Sequence, residues 1–302
     1  MKNKILLLIV VVLSVIAISG SKKETTYFNN AKKEEVKEEI KLALKDTSTG
    51  EIKNIELEDY IVGVVAGEMP ASFNEEALKA QAIASRTYAM YKMKNSNGTY
   101  DLVTDKTNQV YITEDKMKKL WQENFDYYFE KIKKAVYDTK DLIMTCNGNV
   151  ILSMYFARSN GKTEDAILVF GSNEEYLKSV ESPEESLTSE VTISKDEFCN
   201  KLNISCDAIN ISNVLKSSSG RINSLNINGK TFKGTEIRTL FDLKSTDFDI
   251  SIGSEIKFVT KGYGHGVGMS QYGANKLAQN GKNYEEILKH YYQNINIEKN
   301  SV

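Results

Sequence analysis

The sequence predicts an α+β protein, with mixed helices and antiparallel hairpins arranged in two lobes behind an N-terminal membrane anchor helix. Three observations carry that reading. Residues 56–69 (ELEDYIVGVVAGEM) put Tyr60, Ile61, Val64 and Val65 on one helical stripe, which Pro70 ends. Asn147-Gly148 and Asn228-Gly229 each lie between β-rich arms, a strong hairpin signal. Residues 5–20 form an uncharged apolar run preceded by Lys2 and Lys4.

Taken in order, that apolar run reads as an export signal. Its sixteen residues are marginal for a bilayer span of about 17–25. Ala17-Ile18-Ser19 offers only a weak cleavage pattern, so a retained anchor over residues 1–21 is the preferred reading and a cleaved signal the alternative. Either one places the rest of the chain outside the cytoplasm. Residues 22–39 are polar and charge-rich, which suits a solvated linker.

The folded part is expected over residues 40–298. Its apolar pattern begins at Ile40, with a strand at residues 42–46 (LALKD) and then the helix over 56–69. Glu68 falls in the last turn of that helix, where a carboxylate opposes the negative end of the dipole. Ser72 and Glu75 then form a capping-box pattern for an Ala-rich second helix that carries Arg86. Residues 114–139 read as one further helix with an aromatic face (Trp121, Phe125, Tyr128, Phe129), taken as core. The Asn147-Gly148 hairpin runs into a polar loop at 157–164, and residues 176–182 (YLKSVES) read as a short strand.

Residues 185–250 have a different character and read as a smaller lobe. They comprise a strand near 190–193, a helix capped by Ser194 with Glu197, the Asn228-Gly229 hairpin and a helix over 234–241. A strand at 256–259 leads into GYGHGVGMSQYGA and two closing helices that end at His290-Tyr291-Tyr292.

Composition excludes several classes. The chain has 302 residues and a net charge of −2, which gives no basic footprint for nucleic acid. Only His265 and His290 are present, so a centre built on three histidines is excluded. There is no G-x-S-x-G elbow and no phosphate loop. Cys199 and Cys206 could pair across a short loop, or stand with Cys146 as thiols.

Two segments are not routine core. VVAGEMPASF places Glu68 at a proline turn; alone, such a residue is more readily a surface glutamate. GYGHGVGMSQYGA alternates glycine with His265, Ser270, Gln271 and Tyr272, either a sugar-binding groove or a tight structural loop. Glycosyl chemistry is the economical choice, since one well-placed glutamic acid can serve it.

The stretches DYIVGVVAGEMPASFNEEALKAQAIASRTYAM, YFARSNGKTE, YLKSVESP, GYGHGVGMSQYGA and ILKHYY occur in one order across residues 40–295. In these the chain resembles the stage II sporulation protein D family, shared with amidase enhancer proteins of bacterial cell-wall turnover. The resemblance implies a two-lobed catalytic domain and a lytic transglycosylase. Its substrate would be peptidoglycan glycan strands already stripped of peptide. It would cleave between N-acetylmuramic acid and N-acetylglucosamine to leave 1,6-anhydromuramic ends, during engulfment in sporulation. Glu68 matches the family's catalytic glutamate and Arg86 its active-site arginine, expected to orient Glu68 or hold the substrate's lactyl carboxylate. Ser159, Lys162, His265, Ser270, Gln271 and Tyr272 become expected groove contacts. A cell-wall amidase and a membrane protein of the engulfment machinery are the implied partners, at a cell membrane with a single-pass anchor. The rival reading is a non-catalytic enhancer that binds strands. Some relatives carry His and Cys where this chain has Ala157 and Asn160, so no metal or other cofactor is expected.

Overall fold

The computed structural model describes residues 39–96 and 98–300. The expected anchor and nearly all of the linker lie outside the described residues. Among those described, no helix is long and apolar enough to cross a membrane.

Strand β1 (Lys41–Lys45) pairs antiparallel with β2 (Ile52–Glu56), Lys41 opposite Glu56, and the chain passes directly into helix α1 (Leu57–Glu68). Helix α2 (Glu75–Lys94) follows, but its cap is not the expected one. The N–H of Phe73 closes a turn onto Pro70 O at 2.9 Å, which consumes Ser72. Asn74 caps the helix instead, its Oδ1 accepting from Glu76 N at 3.0 Å. Strand β3 (Leu102–Val103) then joins β1 in parallel.

The single helix expected over 114–139 is broken in two. Gln122 adopts φ 48° and a 3₁₀ turn (Gln122–Asn124) separates α3 (Glu114–Trp121) from α4 (Phe125–Asp138). The aromatic face does pack on the core, with Trp121, Phe125, Tyr128 and Phe129 half-buried against it. The first hairpin joins β4 (Leu142–Cys146) to β5 (Asn149–Val150) through Asn147 and Gly148, both at positive φ. Strand β6 (Tyr155–Phe156) and the short helix α5 (Ala166–Phe170) come next. Residues 176–182 form no strand; only Glu181 makes an isolated bridge, to Lys162. Main-chain bonds from Thr163 N to Val180 O (2.8 Å) and Ser182 N to Gly161 O (2.9 Å) pin that segment to the 157–164 loop instead.

Residues 188–261 build a second apolar cluster, which includes Phe198, Ile227, Ile237, Phe248, Ile256 and Phe258. They comprise β7 (Thr188–Ser194), α6 (Lys195–Leu202), β8 (Ile211–Lys216), β9 (Ile222–Ile227), β10 (Lys230–Lys233), α7 (Gly234–Leu240), β11 (Phe248–Ile252) and β12 (Glu255–Lys261). Two antiparallel sheets result, ordered β10-β9-β8 and β11-β12-β7. The cluster includes Ile256 and Phe258 of β12, beyond residue 250. Ser194 Oγ accepts from Glu197 N at 3.1 Å, as the cap pattern predicts. Cys199 and Cys206 are joined by a disulfide with Cα atoms 5.7 Å apart, which settles the open choice between bridge and thiols. Cys146 is a buried free thiol.

The chain ends with β13 (Met269–Ser270), α8 (Gln271–Gln279), α9 (Tyr284–Tyr291) and β14 (Asn296–Lys299). β13 pairs in parallel with β6, setting Met269 opposite Tyr155 and Ser270 opposite Phe156. Helix α2 is the hub: Ala77, Leu78, Ala80, Ala82, Ile83, Ala84 and Ala89 are all fully buried. Its alanines let α1, α4, α8 and α9 pack closely around it.

Candidate active site

Glu68 is the last residue of α1, and Met69 leaves the helix with its N–H on Val65 O at 3.0 Å. The carboxylate is held from two distant parts of the chain. Its Oε1 accepts the N–H of Val110 at 2.7 Å, and its Oε2 accepts Gln271 Nε2 at 3.2 Å. Burial pushes the Glu68 carboxyl above the ordinary range, against the opposing pull of hydrogen bonds from Val110, Gln271 and Tyr155. Burial wins, so Glu68 keeps its proton to higher pH than a surface glutamate.

Close backbone approach makes the Val110 contact possible. A Cβ on Gly67 would stand 2.5 Å from Val110 O, and one on Gly63 would stand 2.2 Å from the Tyr111 ring. These two glycines, one helical turn apart, let the 110–112 strip lie directly on α1. Ile112 N also donates to Gly63 O at 3.2 Å, and Tyr111 stacks on Tyr60 at 5.6 Å.

A relay of neutral groups backs the carboxylate. Tyr60 donates its hydroxyl to Gln109 Oε1 at 3.1 Å, and Gln109 Nε2 donates to the Tyr155 hydroxyl at 2.8 Å. Gln109 Nε2 also donates to Ser85 O at 3.3 Å. Tyr155, accepting from Gln109, is left to donate toward Glu68. Burial, with the Glu68 charge close by, raises the pKa of Tyr60, Tyr88 and Tyr155, so these phenols stay protonated donors. Sequence reasoning missed Gln109, Val110 and Tyr155. Tyr155 opens the YFARSNGKTE stretch and was within reach; Gln109 and Val110 lie in an undistinguished loop.

The expected groove contacts separate into two groups. Gln271 reaches Glu68, and Tyr272 lies beside it with its ring edge-on to Phe73 (4.9 Å) and under the Arg158 guanidinium (3.6 Å). The others are engaged elsewhere. Ser159 and Ser270 are fully buried and both bond Glu184: Ser159 through its N–H to Oε1 at 2.7 Å, Ser270 through its hydroxyl. Ser270 Oγ also caps α8 by accepting from Gly273 N at 3.3 Å. Lys162 pairs with Glu181 at 3.5 Å. His265 Nδ1 accepts from Val267 N at 3.1 Å, its ring set against Phe156 and Phe170. Burial lowers its pKa to about 4, so it is neutral at physiological pH.

Arg86 bonds a different glutamate of α1 from the expected one. It is fully buried and clamps Glu58, with Nε donating to Oε1 at 2.8 Å and Nη2 to Oε2 at 2.6 Å. Two further donors go to Val136 O (3.1 Å) and Leu142 O (3.2 Å). Four of its five N–H donors are thus spent inside the protein, and none of them on Glu68. Glu58 and Glu68 are ten positions apart on one helix, about 15 Å, so one guanidinium cannot serve both. Arg86 locks α1, α2, α4 and β4 together.

The residues around the 157–160 loop do not fit a metal ion. Ala157 has no ligand, Asn160 Nδ2 donates to Ser219 O and Asp247 Oδ2 at 2.7 Å each, and Cys146 Sγ donates to Glu175 Oε1 at 3.2 Å. Among the described residues no group of three His, Cys, Asp or Glu side chains is placed to hold a metal.

Comparison with known proteins follows the same residues. A family model described as Stage II sporulation protein matches residues 45–146, which contain Glu68, Arg86, Gln109 and Val110. Stage II sporulation protein D of Bacillus subtilis is 40% identical over 263 residues, covering 83% of this chain and 77% of the relative. The chain belongs to the stage II sporulation protein D family. The family's protein from Bacillus amyloliquefaciens is also 40% identical, with 83% of this chain and 76% of the relative covered. An amidase enhancer of Bacillus subtilis is 30% identical over 294 residues, covering 76% of this chain and 39% of the relative.

Proposed function

We propose that this member of the family is a peptidoglycan lytic transglycosylase with Glu68 as its acid and base. The observation that carries the reading is the Glu68 carboxyl: protonated beyond the usual range by burial, yet fixed in place by Val110 and Gln271. A poised, oriented acid is what glycosidic cleavage requires. In the first step Glu68 gives its proton to the bridging oxygen. The bond from muramic C1 to that oxygen breaks, and N-acetylglucosamine leaves with a free 4-hydroxyl. An oxocarbenium-like centre develops at C1. In the second step the muramic 6-hydroxyl attacks C1 and its proton returns to Glu68, leaving the 1,6-anhydro ring. No water is consumed, so a second carboxylate is not required.

The substrate is a strand already stripped of peptide, and the natural companion is a cell-wall amidase. Residues 1–21 would hold the enzyme at the membrane, with the catalytic unit outside, beside a membrane protein of the engulfment machinery. The test is mass spectrometry of peptide-free strands incubated with residues 25–302, wild type beside Glu68→Gln. Anhydromuramic ends from wild type alone are expected. Reducing ends would indicate a hydrolase, and intact strands bound by a folded protein would indicate an enhancer.

A further inference from the structure

Arg158 is a cation linked to Glu68 through Tyr272 and the adjoining Gln271. It lies two residues beyond β6, whose Tyr155 donates toward Glu68, and it forms an isolated bridge with Tyr263. Its guanidinium carbon lies 3.6 Å over the centre of the Tyr272 ring. Tyr272 directly follows Gln271, which holds Glu68, and its other neighbour is Phe73 from the turn just after Glu68. The cation is thus seated on a rigid wall next to the proposed acid.

Its polar bonds are few. Arg158 Nη1 donates to Glu185 O at 3.4 Å, a long contact to a main-chain carbonyl. Among the described residues it makes no ion pair, whereas Arg86 and the buried Arg221 are enclosed by protein groups. Arg158 is only half-buried. Stacking fixes the guanidinium plane and leaves its fork of donors open, an arrangement suited to a carboxylate.

We infer that Arg158 reads the free lactyl carboxylate of the muramic residue; this rests on the proposed action on glycan strands. In a peptide-bearing strand that carboxyl is tied up in an amide to the stem peptide and carries no charge. Hydrolysis of the amide breaks its C–N bond, adds water and releases a carboxylate on the strand and an ammonium on the peptide. Arg158 therefore selects the product of an amidase-class reaction, and the order of the two steps is written into this contact. The role expected for Arg86 from the resemblance falls to Arg158.

The test uses binding, separated from cleavage by a Glu68→Gln background. Fluorescent peptide-free strands are prepared with free lactyl carboxylates and, in parallel, with those carboxyls converted to methylamides. The carboxylate form should bind about tenfold more tightly than the methylamide. Arg158→Ala should remove that preference by weakening only the carboxylate strands, and Arg158→Lys should restore part of it. Equal weakening of both strands would show that Arg158 merely supports Tyr272, and undiminished discrimination would show that another group reads the carboxylate; either overturns the inference. Arg158→Gln, which keeps much of the stacking, guards against a folding defect in the alanine variant. The two readings fail separately. Carboxylate-dependent binding without anhydro ends from wild type would defeat the transglycosylase and leave this contact standing. Cleavage indifferent to the carboxyl would do the reverse.

Discussion

Val110 donates its main-chain N–H to Glu68 Oε1 at 2.7 Å, across a separation of 42 residues, and Gly67 makes the approach possible. Gly67→Ala would place a methyl 2.5 Å from Val110 O and push the strip off the helix. Strand cleavage should fall at least about tenfold while stability drops by about 1–3 kcal/mol, the usual cost of overpacking. Single-turnover assays beside urea denaturation would separate the two effects.

Glu68→Gln should lower cleavage by at least about a hundredfold, since general acid–base catalysis commonly contributes 10²–10⁴. The same change should stabilise the fold at neutral pH. Burial raises the Glu68 pKa, so the native state binds its proton more tightly than the unfolded chain. Native stability therefore declines as pH rises from the unfolded pKa through the folded one. The glutamine does not titrate, so its advantage should be absent in acid and full above the raised pKa. Denaturation curves at several pH values check the sign.

Under the proposed mechanism cleavage should decline as pH rises through the Glu68 pKa, because the acid form would start the reaction. His265 should add no step between pH 5 and 8, since its pKa is lowered to about 4. Its depressed value contributes stability that is present above the ordinary histidine range and lost as pH falls toward 4. A His265→Asn variant with an unchanged pH–rate profile between 5 and 8 is the expected outcome.

Arg86→Met should destabilise the protein by about 3–5 kcal/mol, because it leaves Glu58 buried and uncompensated. The double variant Arg86→Met with Glu58→Leu should recover most of that loss. If Arg86 acted on substrate instead, the double variant would remain inactive although stable.

Reduction of the Cys199–Cys206 bridge, which spans a sequence separation of 7, should cost about 2–3 kcal/mol by the chain-entropy rule. The loss should be centred on the apolar cluster that contains Cys199. Hydrogen exchange with and without reductant would localise it.

The helix carrying Glu68 was legible because its stripe and its proline stop are local. Both Asn-Gly turns and the Ser194 cap were legible for the same reason: each is decided within a few residues. The partners of Glu68 were not. Val110 and Gln271 come from 42 and 203 residues away, and backbone donation leaves no residue-type signature. Arg86 misled because two glutamates share α1, and only burial decides which one it clamps. Of the residues expected in the Gly-rich segment, Gln271 and Tyr272 lie by Glu68, while Ser270 holds the chain together through Glu184.

The 203-residue span between Glu68 and Gln271 has a consequence for synthesis. A chain emerging from its amino end shows Glu68 early but has no α8 to hold it, and α9, which supplies Tyr291 to the Ser182 hydroxyl at 2.6 Å, comes later still. Contacts of such long range form last in folding. The acid is thus unassembled on every incomplete chain. On the proposed function, a wall-cutting enzyme would be disarmed until nearly its whole length has been made.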